Sequence, residues 1–284
     1  IYTGEDTLSL HDALPISQKK VNLSGAVDAI SSEALEDRPI INAGQGLQGV
    51  IPNLNITISN GAANSTPSFN IRGETSLNGG DPLILVDNIP TTSGELSRLN
   101  TNDIESVSVL KDAASASIYG VRAANGVILV TTKRGGEQKP TITYSGSIAL
   151  QEAIVLPDYV NSYEWAKMYN ECWPSKAYTN DMLQKLQNGS DPDHFANTNW
   201  AKEMFRTAAM HQHHLSVNGG SKAVHYMIST QYFQQDGILR ETANQRFNFR
   251  SNLDAQLGIV KLGLNLSGSR QNIDEPTTSV TGEG

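Results

Sequence analysis

Four histidines, His211, His213, His214 and His225, form the group in this chain that most resembles a metal-ligand set. Zinc sites take nitrogen, sulfur and carboxylate ligands that converge on one point. On a strand His211 and His213 share a face and His214 opposes them. No carboxylate stands at a ligand-like spacing, so polar strand residues and no metal are the expectation. Asp81 and Asp87 could be drawn as an acid–base pair, but nothing in the sequence fixes their separation. Cys172 is the only cysteine, which rules out an intramolecular disulfide and a thiolate metal site. No basic neighbour that would activate it can be located. No P-loop or GxGxxG phosphate cradle is present. The expectation is a protein that is not an enzyme and carries no cofactor. Non-covalent recognition remains. Three polar loops, Asn60 to Thr66, Ser76 to Gly80 and Thr91 to Gly94, are rich in Asn, Ser and Thr, which carry both donors and acceptors. The same residue types also serve as plain turn formers.

Composition narrows the class. Charged residues make up 18% and hydrophobic residues 38%, so the chain is neither disordered nor a helical membrane bundle. The longest aliphatic runs, such as Leu83 to Val86 and Val127 to Val130, fall far short of the roughly 18–20 residues a spanning helix needs. A membrane β-barrel stays open, because its strands alternate and keep mean hydropathy low. The net charge of -8 argues against a nucleic-acid partner.

The elements that must position these residues divide at Gly135. Before it, short strands and helical turns alternate: Val21 to Ile30, Leu54 to Ile58, Ser68 to Arg72 and Leu83 to Val86 read as strands, and Gly44 to Val50 as a short helix. Asp103 to Gly135 reads as strand, short helix and strand. Asp112 is the candidate cap and Gly120 the stop. After a Gly- and charge-rich hinge from Gly135 to Lys139, longer alternating strands dominate, interrupted by helices at Asn161 to Glu171 and Asn180 to Leu186. In the segment Gln245 to Gln256, Phe247, Phe249 and Leu253 take one face, while Asn248, Arg250, Asn252 and Asp254 take the other. A wet interior with an apolar outside gives this pattern, and so does a soluble sheet with its polar face outward. Tyr and Phe sit singly along strand faces, without the grouped platform a soluble glycan-binding module would carry.

Several ordered stretches resemble one family. Ser68-Phe69-Asn70-Ile71-Arg72-Gly73 resembles a strand ending in Ile-Arg-Gly. Pro82 to Pro90 is similar to a Val-Asp-Gly-Ile-Pro strand and turn, with Asn88 in place of Gly. Asp103 to Lys133, with its Leu-Lys-Asp-Ala, Ile-Tyr-Gly and Arg-Ala-Ala-Asn-Gly-Val-Ile-Leu runs, resembles the last plug segment of the SusC/RagA branch of TonB-dependent outer-membrane transporters. Asn197 to Trp200, Leu215 to Gly220 and Arg250 to Asp254 look like its early barrel. Ser108 stands where the family commonly has Glu.

The resemblance implies an α+β plug domain, a short mixed sheet with small helices, over residues 18–135. Antiparallel strands of an incomplete transmembrane β-barrel follow over 136–284. Five or six strands cannot close a barrel of about 22 strands. Residues 1–17 look like an adapter-derived segment, standing where the family carries its TonB box, so a fragment without its coupling segment is expected. The family implies import of oligosaccharides or peptides across the bacterial outer membrane. Its partners would be the TonB–ExbB–ExbD complex, a SusD-like surface lipoprotein and outer-membrane lipid. A siderophore or cobalamin receptor and a soluble β-rich glycan-binding module are the alternatives. By motif order the three polar loops would face outward, with Asn60, Asn64, Asn78, Thr91 and Ser93 as substrate contacts. Arg72 would pair with barrel carboxylates and hold the plug; Asp87, Lys111, Asp112 and Arg122 invite the same reading. Gly73, Tyr119, Gly120 and Gly126 complete the plug motifs.

Overall fold

The computed structural model describes residues 7–9, 17–19, 27–34, 42–58, 65–71, 80–111, 116–173 and 178–275. β1 (Thr7–Ser9) pairs antiparallel with β2 (Ser17–Lys19). β3 (Val27–Ser31) follows, then a short helix α1 (Ala43–Gly46) whose first turn is capped by the Asn42 side chain, Oδ1 accepting from the Gln45 N–H at 2.7 Å. β4 (Leu54–Thr57) and β5 (Ser68–Ile71) form a separate antiparallel pair. β6 (Leu83–Val86) and β7 (Ile89–Thr91) make a two-residue hairpin through Asp87 and Asn88. Both turn residues have positive φ, 48° and 67°. Asp and Asn tolerate that region, and it matches the twist of the flanking strands.

The stretch Thr91 to Gly94 is not the loop expected from its composition. Thr91 ends β7, and helix α2 (Ser93–Arg98) begins at once, with Thr92 as its N-cap in a full capping box with Glu95. Thr-x-x-Glu is a helix start, and that signal outweighs the turn-forming residues around it. β8 (Ile104–Leu110) and β9 (Val127–Thr132) complete the sheet. Its order is β3-β8-β9-β6-β7, with β6 and β9 parallel and the other pairs antiparallel. One face packs Ile84, Val107, Val109, Ile128 and Val130 under Leu47 of the first helical turn and Leu96 of α2. The other carries Leu85, Leu110 and Val127 beneath Ala116 and Ala123. Burial on both faces explains why these strands read as continuous apolar runs. Gly120 is the expected stop: with φ 68° and ψ -156° it is non-helical and separates two short 3-10 turns within Ser117–Ala123.

A second sheet has the order β10-β11-β12-β13-β14. Its strands are β10 (Thr141–Gln151), β11 (Ala208–Gly220), β12 (Val224–Asp236), β13 (Ala243–Leu257) and β14 (Val260–Asp274). Between β10 and β11 lie helices α3 (Ser162–Cys172), α4 (Asn180–Asn188) and α5 (Trp200–Met204). The other connections are short. Residues 221–223 and 258–259 close one end, and 237–242 join β12 to β13 at the other.

This sheet inverts the soluble pattern. Along β13, Arg246, Asn248, Arg250 and Asn252 are buried, while the interleaved Phe247, Phe249 and Leu253 are exposed at 50%, 41% and 36%. On β12 the buried face mixes Ser229, Gln231 and Gln235 with Met227 and Phe233, while Ile228 and Tyr232 are exposed. β14, the edge strand, is exposed on both faces, with Val260, Leu262, Leu264 and Leu266 sharing one of them. A soluble antiparallel sheet buries the apolar set; a barrel wall in lipid presents it. The second sheet is therefore barrel wall, and the five strands form no closed barrel.

The chain divides into two compact units. One takes in residues 1–148, 211–234 and 244–273, hence the first sheet and most of the wall strands; the other takes in 149–210, 235–243 and 274–284. The Gly135 backbone is fitted so closely against the backbones of Tyr226 and Gly219 that no Cβ could be added. Gln138 continues the contact, donating from Nε2 to Asn218 Oδ1 at 2.9 Å. The expected hinge is docked on the wall.

Candidate functional site

The inward face of β13 is the site. Its side chains alternate, so every second residue points the same way, and each in turn meets a group of the first sheet's domain. Arg246 Nη1 donates to the Ser97 carbonyl at 3.1 Å, and Asn248 Nδ2 to the Arg98 carbonyl at 2.8 Å. Those are last-turn carbonyls of α2, which have no partner within the helix. A guanidinium at this end also complements the helix dipole. Arg250 Nη1 reaches Asp87 Oδ2 at 3.2 Å. Asn252 Nδ2 donates to Thr132 Oγ1 and to the Lys133 carbonyl, both at 2.9 Å. Asp254 accepts from Arg134 Nη1 at 2.8 Å. On β11, His214 Nε2 and Asp103 Oδ1 stand 3.0 Å apart, both side chains buried.

Asp87 is the hub of this seam. Its Oδ1 accepts the Thr132 N–H at 2.9 Å, and its Oδ2 accepts the Thr132 hydroxyl at 2.7 Å as well as Arg250. The Asp87 side chain is 3% exposed and that of Arg250 10%. Buried charges persist only when paired and hydrogen-bonded, and here hairpin turn, central strand and wall share one network. The Arg246 guanidinium also lies over the Phe233 ring at 4.8 Å. The seam is rich in directional polar bonds.

Beside it a cavity of about 330 Å³ opens between α2 and the wall, lined among others by Asp87, Thr91, Glu95, Arg98, Arg250 and Ser267. Backbone and hydroxyl bonds from Thr92 hold the Glu95 carboxyl below its ordinary range.

The structure brings Asp87 and Thr91 to this place. Ser93 starts α2 and does not line the cavity. Lys111 turns inward within the plug, bonding the Asp28 carboxylate and the Pro52 carbonyl rather than a wall residue. Tyr119 packs against the smaller core cluster, and burial pushes its phenol above the usual range. Arg122 is exposed on the 3-10 run. Gly126 has φ 92°, and a Cβ there would meet Ile71 and the Leu110 carbonyl. Asn60, Asn64, Asn78, Arg72, Gly73 and Asp112 lie outside the described residues. His211 and His213 point away from the seam: the Tyr144 hydroxyl contacts His213 Nδ1 at 2.7 Å, and His211 lies against Tyr232. Among the described residues no metal-holding group of His, Cys, Asp and Glu forms. Sequence reasoning missed Asp103, Thr132, Arg134 and Arg246. The only signal for them was an unusually polar strand face with no partner assigned.

Residues 19–127 match the TonB-dependent Receptor Plug Domain. Over 261 residues the chain is 34% identical to the TonB-dependent receptor SusC of Bacteroides thetaiotaomicron, covering 88% of this chain and 25% of SusC. The chain belongs to the SusC/RagA-type TonB-dependent receptors. A TonB-dependent receptor of Formosa agariphila is 34% identical over 246 residues, covering 85% of this chain and 24% of that protein. The structure of the RagAB peptide importer in the 'open-open' state superposes with a TM-score of 0.80 at 29% identity, covering 92% of this chain and 32% of that one. The chain thus spans about a quarter of the length of these curated relatives. TonB-dependent receptors are outer-membrane proteins, and the lipid-suited outward face of β12 to β14 belongs there. The family is one of transporters, not of known enzymes.

Proposed function

We propose that the protein to which this chain belongs imports oligosaccharides or peptides across the outer membrane, with the plug seated in the barrel as a gate that TonB–ExbB–ExbD remodels. One observation carries the reading: the buried polar face of β13 hydrogen-bonds to plug groups at Arg246, Asn248, Arg250 and Asn252, while its apolar face is exposed. Hydrogen bonds and ion pairs of this kind hold a domain in place, yet their net contribution is modest enough for an applied force to undo. A SusD-like lipoprotein is the partner that would deliver substrate from outside. The polar plug loops, with Asn60, Asn64, Asn78, Thr91 and Ser93, are the proposed contacts for hydroxyl or amide groups. Likeness to the RagAB peptide importer supports the peptide arm of this reading.

The test is uptake of fluorescent neutral oligosaccharides and hexapeptides by cells expressing the full-length receptor, with and without functional TonB. Accumulation that requires both receptor and TonB is expected. Accumulation independent of TonB would overturn the reading.

A further inference from the structure

We propose that the cavity between α2 and the wall is a seat for one neutral sugar residue. Every residue that lines it lies in a single compact unit. The plug side is built by the β6–β7 hairpin and by α2 with the turn after it; the wall side is built by β13 and by Asn265, Ser267 and Ser269 of β14. Alternation puts these three residues on one face of β14 together with Gln271. The serines are too short to cross to the plug, which leaves the space open. Gln271 bounds it: Oε1 accepts from Arg98 Nε at 2.9 Å, and Nε2 donates to Asn244 Oδ1 at 3.0 Å, so α2, β14 and β13 are tied together there.

Two of the lining residues point to a ligand. Asn100 is 2% exposed and Asn248 9%. Each engages only one end of its amide. Asn100 Oδ1 accepts the Asn102 N–H at 3.0 Å, and Asn248 Nδ2 donates to the Arg98 carbonyl at 2.8 Å and to Gln231 Oε1 at 2.9 Å. The other ends, Asn100 Nδ2 and Asn248 Oδ1, are buried with no partner in the protein. Leaving such atoms unpaired is costly. One donor and one acceptor beside the same space are satisfied together by a ligand with several hydroxyls, each of which both donates and accepts.

The charges at the cavity are already matched. Asp87 pairs with Arg250, Glu95 accepts from Thr92, Arg98 donates to Gln271, and Asp103 stands against His214. An ionic ligand would have to displace one of these partners; a neutral one displaces none. Ile89, Pro90 and Leu99 add apolar surface for the C–H face of a ring. At about 330 Å³ the space is near the lower end of ligand pockets, roughly 300–1,000 Å³, and takes one ring rather than an extended chain. A peptide is served less well. β7 is the edge of the first sheet, where a peptide would bind by adding a strand. Its central residue is Pro90, which has no N–H to offer.

The inference rests on the import reading and adds to it a station for the cargo between plug and wall. The experiment uses the purified full-length receptor in detergent, read by saturation-transfer NMR with glucose, galactose, mannose, N-acetylglucosamine and a mixed dipeptide pool, alongside uptake of fluorescent oligosaccharides by cells with and without TonB. At least one of the sugars is expected to bind, with a dissociation constant on the order of millimolar. Ser267→Phe fills the cavity and should weaken binding at least about tenfold. Leu266→Phe, on the opposite face of the same strand, should change nothing. Ser267→Cys, capped after folding with a benzyl methanethiosulfonate, gives the same block without burdening folding, and bound sugar should slow the capping. Sugar binding that survives both blocks, or that leaves the capping rate unchanged, overturns the seat. So does binding of dipeptides alone, or of water only. TonB-dependent uptake in any of these cases leaves the import reading standing. Uptake that persists without TonB overturns the import reading itself, whatever the receptor binds.

Discussion

Replacing Asp87 with Ala in the full-length receptor should loosen the plug more than any other single change at the seam. The Asp87–Arg250 pair stands at 3.2 Å with both side chains nearly closed off from water. At an effective dielectric of about 20, that attraction is about 5 kcal/mol. Removal of one member of a buried pair costs about 3–5 kcal/mol, since the other charge stays buried without its counter-ion. The same change takes two acceptors from Thr132 and leaves Ala at φ 48°. Hydrogen exchange of the Val127–Thr132 amides, followed by mass spectrometry, reads the opening of this strand. An energy loss of this size lowers protection by a factor of about 10²–10³ or more. Asp87→Asn isolates the charge, because Asn keeps the shape and tolerates the turn. Asp87→Asn with Arg250→Met should recover most of the protection, as removing both charges together is close to neutral. Unchanged protection in Asp87→Ala would refute the role of the pair. A double variant as loose as Asp87→Ala would show that the hydrogen bonds to Thr132, not the ion pair, set the seam.

Phe249→Arg on the outward face of β13 should cost up to about 2–4 kcal/mol when the receptor refolds into liposomes; a neutral outcome would place that face in water. Gly126→Ala should lower the plug's denaturant midpoint by the equivalent of at least about 1 kcal/mol, since its φ is 92° and its Cβ would meet Ile71 and a backbone carbonyl. The Glu95 capping box should be pH-sensitive. Thr92 bonds hold this carboxyl below its ordinary value of 4.5, so the box contributes fully above that pH and is lost as pH falls through the lower folded value. Comparing plug midpoints of wild type and Glu95→Gln from pH 6 to pH 3 isolates it: the gap should narrow at the acid end, and a constant gap would count against the box.

Local structure was legible wherever a residue's own chemistry decides it. The Asp87–Asn88 turn follows from two residues that accept positive φ, and the alternation of Phe247, Phe249 and Leu253 with Asn248, Arg250 and Asn252 marks a two-faced strand. Which face lies inside was not legible. Period two is the same in a soluble sheet and a barrel wall, and only the partner covering the polar face tells them apart. That partner is remote: Arg250 meets Asp87 and Asn252 meets Thr132 across more than a hundred residues. Thr91 to Gly94 misled because a capping box uses the same small polar residues as a turn. Lys111 and Arg122, grouped with Asp87 by charge and motif, take other surroundings, because a side chain's partner depends on sheet packing that charge alone does not encode.

The central claim is that β13 turns its polar side to the plug and its apolar side to lipid. Nitroxide labels placed one at a time from position 246 to 254 of the full-length receptor in bilayers test it directly, through collision with oxygen and with a water-soluble nickel chelate. Labels at 247, 249 and 253 should be oxygen-accessible and shielded from nickel, and those at 248, 250 and 252 protected from both. High nickel accessibility at 247, 249 and 253 would contradict the account and return the strand to a soluble sheet.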